Sequence, residues 1–352
     1  FGSFSDIDGN DSVNLYAFPG SKDDAPERGG VDFPEGWVEN AIGYELLRAG
    51  KEAPVFNSEN HPVFDRDMRP IPAQHFYNTM WQGAIHGQSA TTIWVWEREK
   101  NNPRGDFAGN VMERPACAEA VGRVCLDLNR VAPEITSIQK APADVCILFS
   151  PTALVWDRQK PDLTLIRTFV ALSFTGLKTS FVTERHLEAG DLRDVPMIVI
   201  PDATHISAAA FETLKKYKGK LLFVGNDPML TRDEYDNPLN GKMNGEHIPF
   251  DPIKGKWQSI YEAILPKLEN AKLNPAVAVR DENGKPFWGV QWQCANTPQG
   301  TVVNLYNCSH DTKTFQVKPS AKMIDLLTGA QIPADQLITM KSMDVKLVRI
   351  EK

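Results

Sequence analysis

The amino-acid sequence predicts an α/β protein in which two runs of alternating strands and helices precede a smaller antiparallel β unit. Three observations point to this. Through the first 138 residues, β-prone and helix-periodic segments alternate strand–helix–strand–helix–strand–helix, the local grammar of a (β/α) barrel or an open parallel sheet. A second alternation, beginning after Ala141-Pro142-Ala143, reads as a small doubly wound sheet. From about Asn274 the hydrophobic period changes to two, with turns between the runs, which marks an antiparallel β domain of about 80 residues. The expected boundaries are 1–140, 141–268 and 269–352.

In the first segment, a loop from Asp6 to Ser12 leads to a strand, Val13-Asn14-Leu15-Tyr16, which ends at Pro19-Gly20. A polar loop from Ser21 to Asp32 precedes a helix opened by Pro34-Glu35-Gly36-Trp37, since Pro and Glu both suit a first turn. Val38, Ile42, Leu46 and Leu47 fall on its apolar face, and Gly50 is its C-cap. Pro54-Val55-Phe56 is a short apolar strand that runs abruptly into Asn57-Ser58-Glu59-Asn60-His61. After the loop Asp65–Pro72 comes a helix with Phe76, Met80, Trp81, Ala84 and Ile85 at helical spacing, ended by Gly87 to Ala90. Thr91-Thr92-Ile93-Trp94-Val95-Trp96 is strongly β-prone and stops at Glu97-Arg98-Glu99. A long helix then runs from about Pro115 to Val131, with Cys117, Val121, Val124, Cys125, Leu128 and Val131 along one side.

The second segment has strands at Val145–Phe149, Lys178–Val182, Val195–Ile200 and Lys220–Val224. Its helices are Asp162–Gly176, with Leu163, Ile166, Phe169, Val170 and Phe174 inward, then Ala208–Tyr217 and a short closing Trp257–Leu265. The first of these strands runs into Ser150-Pro151-Thr152 and not into a Gly-rich turn, which argues against a dinucleotide or phosphate site there. In the third segment, Asp281-Glu282-Asn283-Gly284 is a hairpin turn, followed by strands at Phe287–Cys294, Thr301–Cys308, Thr314–Val317 and Val345–Ile350.

Composition narrows the function. A net charge of -7 without a basic, aromatic-interleaved run argues against a nucleic-acid partner. No apolar stretch is long enough to span a membrane. The chain opens at Phe1 without a signal-like segment, so any targeting segment is expected to be absent or already removed. The five cysteines are scattered without a C-x-x-C pair, which favours buried free thiols over zinc or disulfides, although Cys294 and Cys308 could meet across neighbouring strands. Eight tryptophans suit a protein that stacks flat rings.

The stretch around Glu59 carries the chemistry. A strand ending in five polar residues is costly to bury without partners, and fits a strand whose C-terminal end opens into a cleft. Asn57, Asn60 and His61 supply donors that hold a carboxylate ionised and oriented. Tyr16 ends the preceding predicted strand, and Trp94 and Trp96 lie on the following one. A carboxylate between a Tyr and a Trp platform suits sugar chemistry, where an indole stacks on a pyranose and the carboxylate meets the oxocarbenium-like centre. Glu97, at the end of the next strand, is a further candidate for binding a sugar hydroxyl, and Asp202, Thr204 and His205 are weaker candidates in the second segment.

Pro54–His61, Trp81-Gln82-Gly83-Ala84-Ile85-His86-Gly87 and Thr92-Ile93-Trp94-Val95-Trp96-Glu97-Arg98 together resemble the last strand–helix units of a clan A glycoside hydrolase barrel. The domain order resembles that of the family 42 β-galactosidases, as does the run Ile324-Asp325-Leu326-Leu327-Thr328-Gly329. The resemblance implies the C-terminal part of a (β/α)8 TIM barrel, a flavodoxin-like doubly wound domain that makes trimers, and a small antiparallel β-sandwich domain. It also implies a retaining β-galactosidase-like enzyme without metal or organic cofactor, with Glu59 as nucleophile. Tyr16 then matches a Tyr that hydrogen-bonds the nucleophile and Trp94 or Trp96 the Trp that floors the sugar site, while Asn57, His61 and Glu97, read from the residues themselves, are expected to contact the sugar. The context Asn-Ser-Glu-Asn-His departs from the usual family 42 pattern and leaves β-mannosides and other β-glycosides open. Fewer than 140 residues precede the second domain, whereas a closed barrel takes about 250. The acid/base Glu is therefore expected on a companion N-terminal barrel segment outside this chain. The alternative from another class is a non-catalytic carbohydrate-binding or assembly protein.

Overall fold

The strand that opens the first parallel sheet is one that side-chain propensity would not choose. Strand β1 is Asp8–Ser12, an all-polar run where a loop was expected, while Val13–Tyr16 lies outside the described residues. Its stability comes from pairing with its neighbour more than from its side chains. Gly9 matters here, because a Cβ at that position would sit 2.6 Å from the carbonyl oxygen of Phe56 on the neighbouring strand. The computed structural model describes residues 7–12, 36–62, 70–96, 110–192 and 194–351. They form two units, one holding the described residues up to Ala141 together with those from Val277 onward, the other Pro142–Ala276. The expected first and third segments thus share a unit.

After β1 come α1 (Gly36–Gly50), β2 (Val55–Asn60), α2 (Ala73–His86), β3 (Gln88–Ile93), α3 (Pro115–Arg130) and α4 (Ala132–Gln139). The sheet order is β1-β2-β3 and both pairings are parallel. Helix α1 has the expected period but turns a different face inward. Trp37, Val38, Ala41 and Tyr44 are buried, while Ile42, Leu46 and Leu47 are only half-buried. Trp37 fixes this choice by packing edge-on against Tyr306, ring centroids 6.2 Å apart.

Helix α2 buries its expected face and more, since Phe76, Trp81 and Ile85 are all at most 1% exposed. Strand β3 begins and ends earlier than expected, leaving Trp94 to Trp96 in the turn beyond it. The carbonyls of Val95 and Trp96 accept from the backbone N–H groups of Val111 and Met112, so the returning chain takes them out of the ladder. Helix α3 ends as expected, but Pro133, tolerated in a first turn, starts the unexpected α4 directly after Val131. Cys125 is exposed, against the expectation of a buried thiol, and Cys294 is half-buried. All five cysteines are free, and Cys294 lies opposite Val303, not Cys308.

The second unit contains β4 (Val145–Phe149), α5 (Pro151–Trp156), α6 (Gln159–Ser173), β5 (Thr179–Thr183), α7 (Glu184–Glu188), β6 (Met197–Pro201), α8 (Ala208–Leu214), β7 (Lys220–Val224), β8 (Glu246–Ile248) and α9 (Trp257–Asn270). Its five strands are all parallel in the order β5-β4-β6-β7-β8. Every residue of β6 is buried, as expected of a strand covered on both faces. Helix α6 turns Leu165, Phe169 and Val170 inward and leaves Leu163 and Ile166 half-buried, a small rotation from expectation. Helix α9 is longer than expected and runs through Pro266. Helices α5 and α7 were not foreseen, being one to two turns long.

The last part returns to the first unit with β9 (Ala278–Arg280), β10 (Val290–Thr297), β11 (Gly300–Asn307), β12 (Lys313–Lys318), β13 (Met323–Asp325), β14 (Gln331–Ile332), β15 (Ile338–Met340) and β16 (Val345–Ile350). They form two antiparallel sheets, β10-β11-β16-β13-β14 and β15-β12-β9. Both contribute to one core, with Val279, Trp292, Leu305, Phe315, Met340 and Val348 in it. The predicted turn at Asp281–Gly284 is present, with the Asp281 N–H donating to the Lys285 carbonyl at 3.0 Å and Gly284 at φ 77°.

The β10–β11 hairpin turns through Pro298-Gln299 and depends on Gly300, at φ 136° and with the Ile350 carbonyl 2.1 Å from where a Cβ would be. Gly300→Ala is expected to cost about 2–3 kcal/mol, read as a lower urea midpoint. An unchanged midpoint would show that the hairpin can be redrawn without loss. Strand β11 is buried on both faces, because Ala295, Val302 and Leu347 also join the core of α2, α3 and α4. No helix among the described residues is long and apolar enough to cross a membrane.

Candidate active site

The middle strand of the first sheet carries a bulge at the position that matters. Asn10 pairs with Asn57 but Asp11 pairs with Glu59, so Ser58 is an extra residue on β2. The pairing to β3 shifts in the same interval, from Asn57 opposite Thr91 to Asn60 opposite Ile93. Strict alternation would put Glu59 on the face of Val55 and Asn57, which is buried. With the bulge, Asn60 takes the buried face and the Glu59 side chain stays 44% exposed. Ser58 secures the irregularity by donating to Asp11 Oδ1 at 2.6 Å.

Glu59 is met there by His61 and Trp94. Glu59 Oε2 lies 3.3 Å from His61 Nε2, and the His61 ring is tilted against Trp94 with centroids 5.7 Å apart. Trp94 is placed by continuing the ladder beyond β3, since its N–H donates to the Asn60 carbonyl at 2.8 Å. A carboxylate, an imidazole and an indole thus converge at the C-terminal end of two adjacent parallel strands, the end that opens outward in parallel α/β proteins. A carboxylate so held can attack or stabilise an electron-poor carbon, and the indole offers a flat apolar surface beside it.

The other expected site residues fare differently. Asn57, expected to contact the sugar, is fully buried here and donates to the Tyr44 hydroxyl at 2.7 Å. Its face of the strand is closed by α1, and the bulge begins only after it. Trp96 stands in the turn, 40% exposed, with its carbonyl engaged by Met112. Tyr16 and Glu97 lie outside the described residues. Tyr44 and the Ser58–Asp11 contact were not read from the sequence, because a bulge has no compositional signal beyond a polar strand end.

Two further polar features of this unit lie away from Glu59. His86 is buried between α1 and β10, with Nδ1 3.0 Å from Glu45 Oε1 and Nε2 3.0 Å from the Gln291 amide. A cleft of about 520 Å³ runs along β3 beside α3 and α4, lined by Met80, Gln88, Thr91, Cys125 and Leu128 among others. It contains none of the residues around Glu59. In the second unit, Asp202 follows β6 at φ 44° and accepts from Thr164 Oγ1 at 3.1 Å. Burial pushes its carboxyl up from the ordinary range.

No protein-family model and no curated protein sequence matches the chain. Solved structures do. An exo-carrageenase of glycoside hydrolase family 42 from Bacteroides ovatus superposes with a TM-score of 0.76 at 21% identity, over 97% of this chain and 47% of that one. The chain has a family 42 glycoside hydrolase-like fold. Other solved structures with this family 42-like fold include Gan42B, a family 42 β-galactosidase from G. stearothermophilus, at TM-score 0.68 and 15% identity over 90% of this chain and 57% of that one. The β-galactosidase from Bacillus circulans sp. alkalophilus gives TM-score 0.67 and 13% identity over 89% of this chain and 58% of that one. The chain therefore spans about half the length of the structures it matches.

Proposed function

We propose that the complete protein is a retaining β-glycoside hydrolase of β-galactosidase-like type, with Glu59 as its nucleophile. The observation that carries this is the bulge in β2, which presents Glu59 on the open face beside His61 and Trp94. In the first half-reaction a Glu59 carboxylate oxygen bonds to the anomeric carbon as the bond to the leaving oxygen breaks, and an acid protonates that oxygen. In the second half-reaction water, deprotonated by the same group, displaces Glu59. This chemistry needs the two carboxyl groups about 5–5.5 Å apart. The acid/base is assigned to the part of the enzyme that this chain does not span.

His61, with its proton on Nε2, donates to Glu59 and holds the carboxylate in one orientation. Trp94 forms the floor on which the apolar face of the sugar lies. The fold likeness supports this reading, as does the fact that one solved form of Gan42B is a catalytic mutant with a glutamate replaced by alanine. In the same reading, the β1-β2-β3 sheet is the end of a (β/α)8 barrel and the second unit a flavodoxin-like domain that assembles trimers.

A panel of nitrophenyl β-galactosides, mannosides and glucosides on the full-length protein tests the reading. Hydrolysis of one of them with retained anomeric configuration is expected. Binding of the sugars without turnover would favour a carbohydrate-binding protein instead.

A further inference from the structure

A second aromatic platform lies in the second unit, far along the chain from Glu59. Strand order β5-β4-β6-β7-β8 means that the chain leaves β4 toward one edge and returns to β6 on the other side, so the sheet's topological switch point lies between β4 and β6. Crevices at the carboxyl ends of strands at such points are the general ligand sites of open parallel sheets. Trp156 ends the helix that follows β4, and His205 follows β6. Their rings stack across this point with centroids 4.7 Å apart and planes 8° from parallel.

The pair is held in place from several sides. The Trp156 indole N–H donates to the Glu234 carbonyl at 3.4 Å, and His205 Nε2 lies 3.1 Å from Asp236 Oδ1. The 232–237 turn is tied to itself, with Asp233 accepting from the N–H groups of Tyr235 and Asn237 and Arg232 donating to the Asp236 carbonyl at 3.0 Å. Helix α5 is anchored by buried Glu184, which accepts from the Ser150 and Thr152 hydroxyls and the Thr152 N–H. With His205 covering one face of the indole, Trp156 is still 48% exposed, and Tyr235, next to Glu234 in the turn, is 78% exposed. A large flat ring held rigid with a face to water has little ordering left to lose on binding.

The chemistry around the platform selects among ligands. The first amides of α5 are already bonded, Thr152 N to Glu184 and Ala153 N to Ser150 Oγ, so they leave no cradle for a phosphate. The flanking acids Asp157 and Asp236 are exposed and oppose an anion. One indole matches the apolar face of one pyranose, and Asp236, with Arg232 3.8 Å away, offers carboxylate and guanidinium partners for hydroxyls. We infer that Trp156, stacked on His205 and rimmed by Asp236 and Arg232, is a non-catalytic binding site for a neutral saccharide. It rests on the carbohydrate chemistry proposed for Glu59 and adds a second, separate saccharide site on the chain.

The test uses the full-length protein with Glu59→Gln, so that ligand is bound without turnover, and compares it with Glu59→Gln/Trp156→Ala and Glu59→Gln/Trp156→Phe. Titration with neutral galacto-, manno- and gluco-oligosaccharides, followed by calorimetry and tryptophan fluorescence, is expected to show one saturable site in addition to any at Glu59. Trp156→Ala should weaken that site by about tenfold or more and Trp156→Phe by less. Matching melting curves establish that the variants fold. Equal oligosaccharide binding in all three, or no binding by any, would overturn the inference. So would preferential binding of riboflavin phosphate, or a change in assembly size by light scattering on Trp156→Ala, since either gives the platform a different occupant. Oligosaccharide binding lost with Trp156 while Glu59→Gln leaves hydrolysis intact would remove the nucleophile assignment and leave this site standing.

Discussion

Glu59→Gln is expected to lower turnover of the complete protein by at least about a thousandfold while leaving its melting curve unchanged. The amide fills the same space and can keep a hydrogen bond to His61, but it cannot displace a leaving group from an anomeric carbon. The side chain is 44% exposed, so folding is not expected to depend on its charge. A parallel loss of stability would point to a structural carboxylate. His61→Ala should act through the same group and weaken turnover less, because it removes the orienting donor and not the attacking atom. Turnover by Glu59→Gln within tenfold of the parent would end the assignment.

The largest effect on stability is expected at Trp81. This indole is fully buried between α2 and β11, stacks on Tyr77 with centroids 5.9 Å apart, and donates from Nε1 to Asn304 Oδ1 at 2.8 Å. Trp81→Ala removes that volume from a core shared by α2, α3, α4 and the outward face of β11, and should cost about 3–5 kcal/mol in urea unfolding. Trp81→Phe keeps most of the ring and should cost about 1–2 kcal/mol, mainly the lost N–H donor. A cost below about 1 kcal/mol for Trp81→Ala would mean that the helices and the C-terminal sheets are not one cooperative body. Tyr77 lies in the same layer, and burial together with its bond to Asp127 holds its hydroxyl well above the ordinary tyrosine range.

Much of this fold was legible in the sequence because its signals are periodic. The spacing of Phe76, Trp81 and Ile85, the buried run Met197–Ile200 and the Asn283-Gly284 turn each correspond to an element where expected. The misses have physical causes that no periodicity contains. Strand β1 forms from Asp8–Ser12 through pairing with β2, against propensity, and beyond Trp94 the returning chain takes the Val95 and Trp96 carbonyls out of the expected strand. Within the site, Glu59, His61 and Trp94 were legible as a polar strand end followed by an aromatic one. The bulge that sends Glu59 outward and Asn57 inward was not, since both residues fit either face until the register is known. Trp156 was not singled out in the sequence, because nothing in the run Leu154-Val155-Trp156 marks Val155 and Trp156 as exposed, at 83% and 48%.

The most direct measurement is mechanism-based labelling of the full-length protein with a 2-deoxy-2-fluoro β-glycoside, followed by peptide mass mapping. The fluorine slows release of the glycosyl-enzyme, so the nucleophile keeps its sugar. The expected result is one added glycosyl mass per chain on the peptide containing Glu59, absent from Glu59→Gln. A label on another carboxylate, or hydrolysis with no trapped sugar and inverted configuration, would contradict the account.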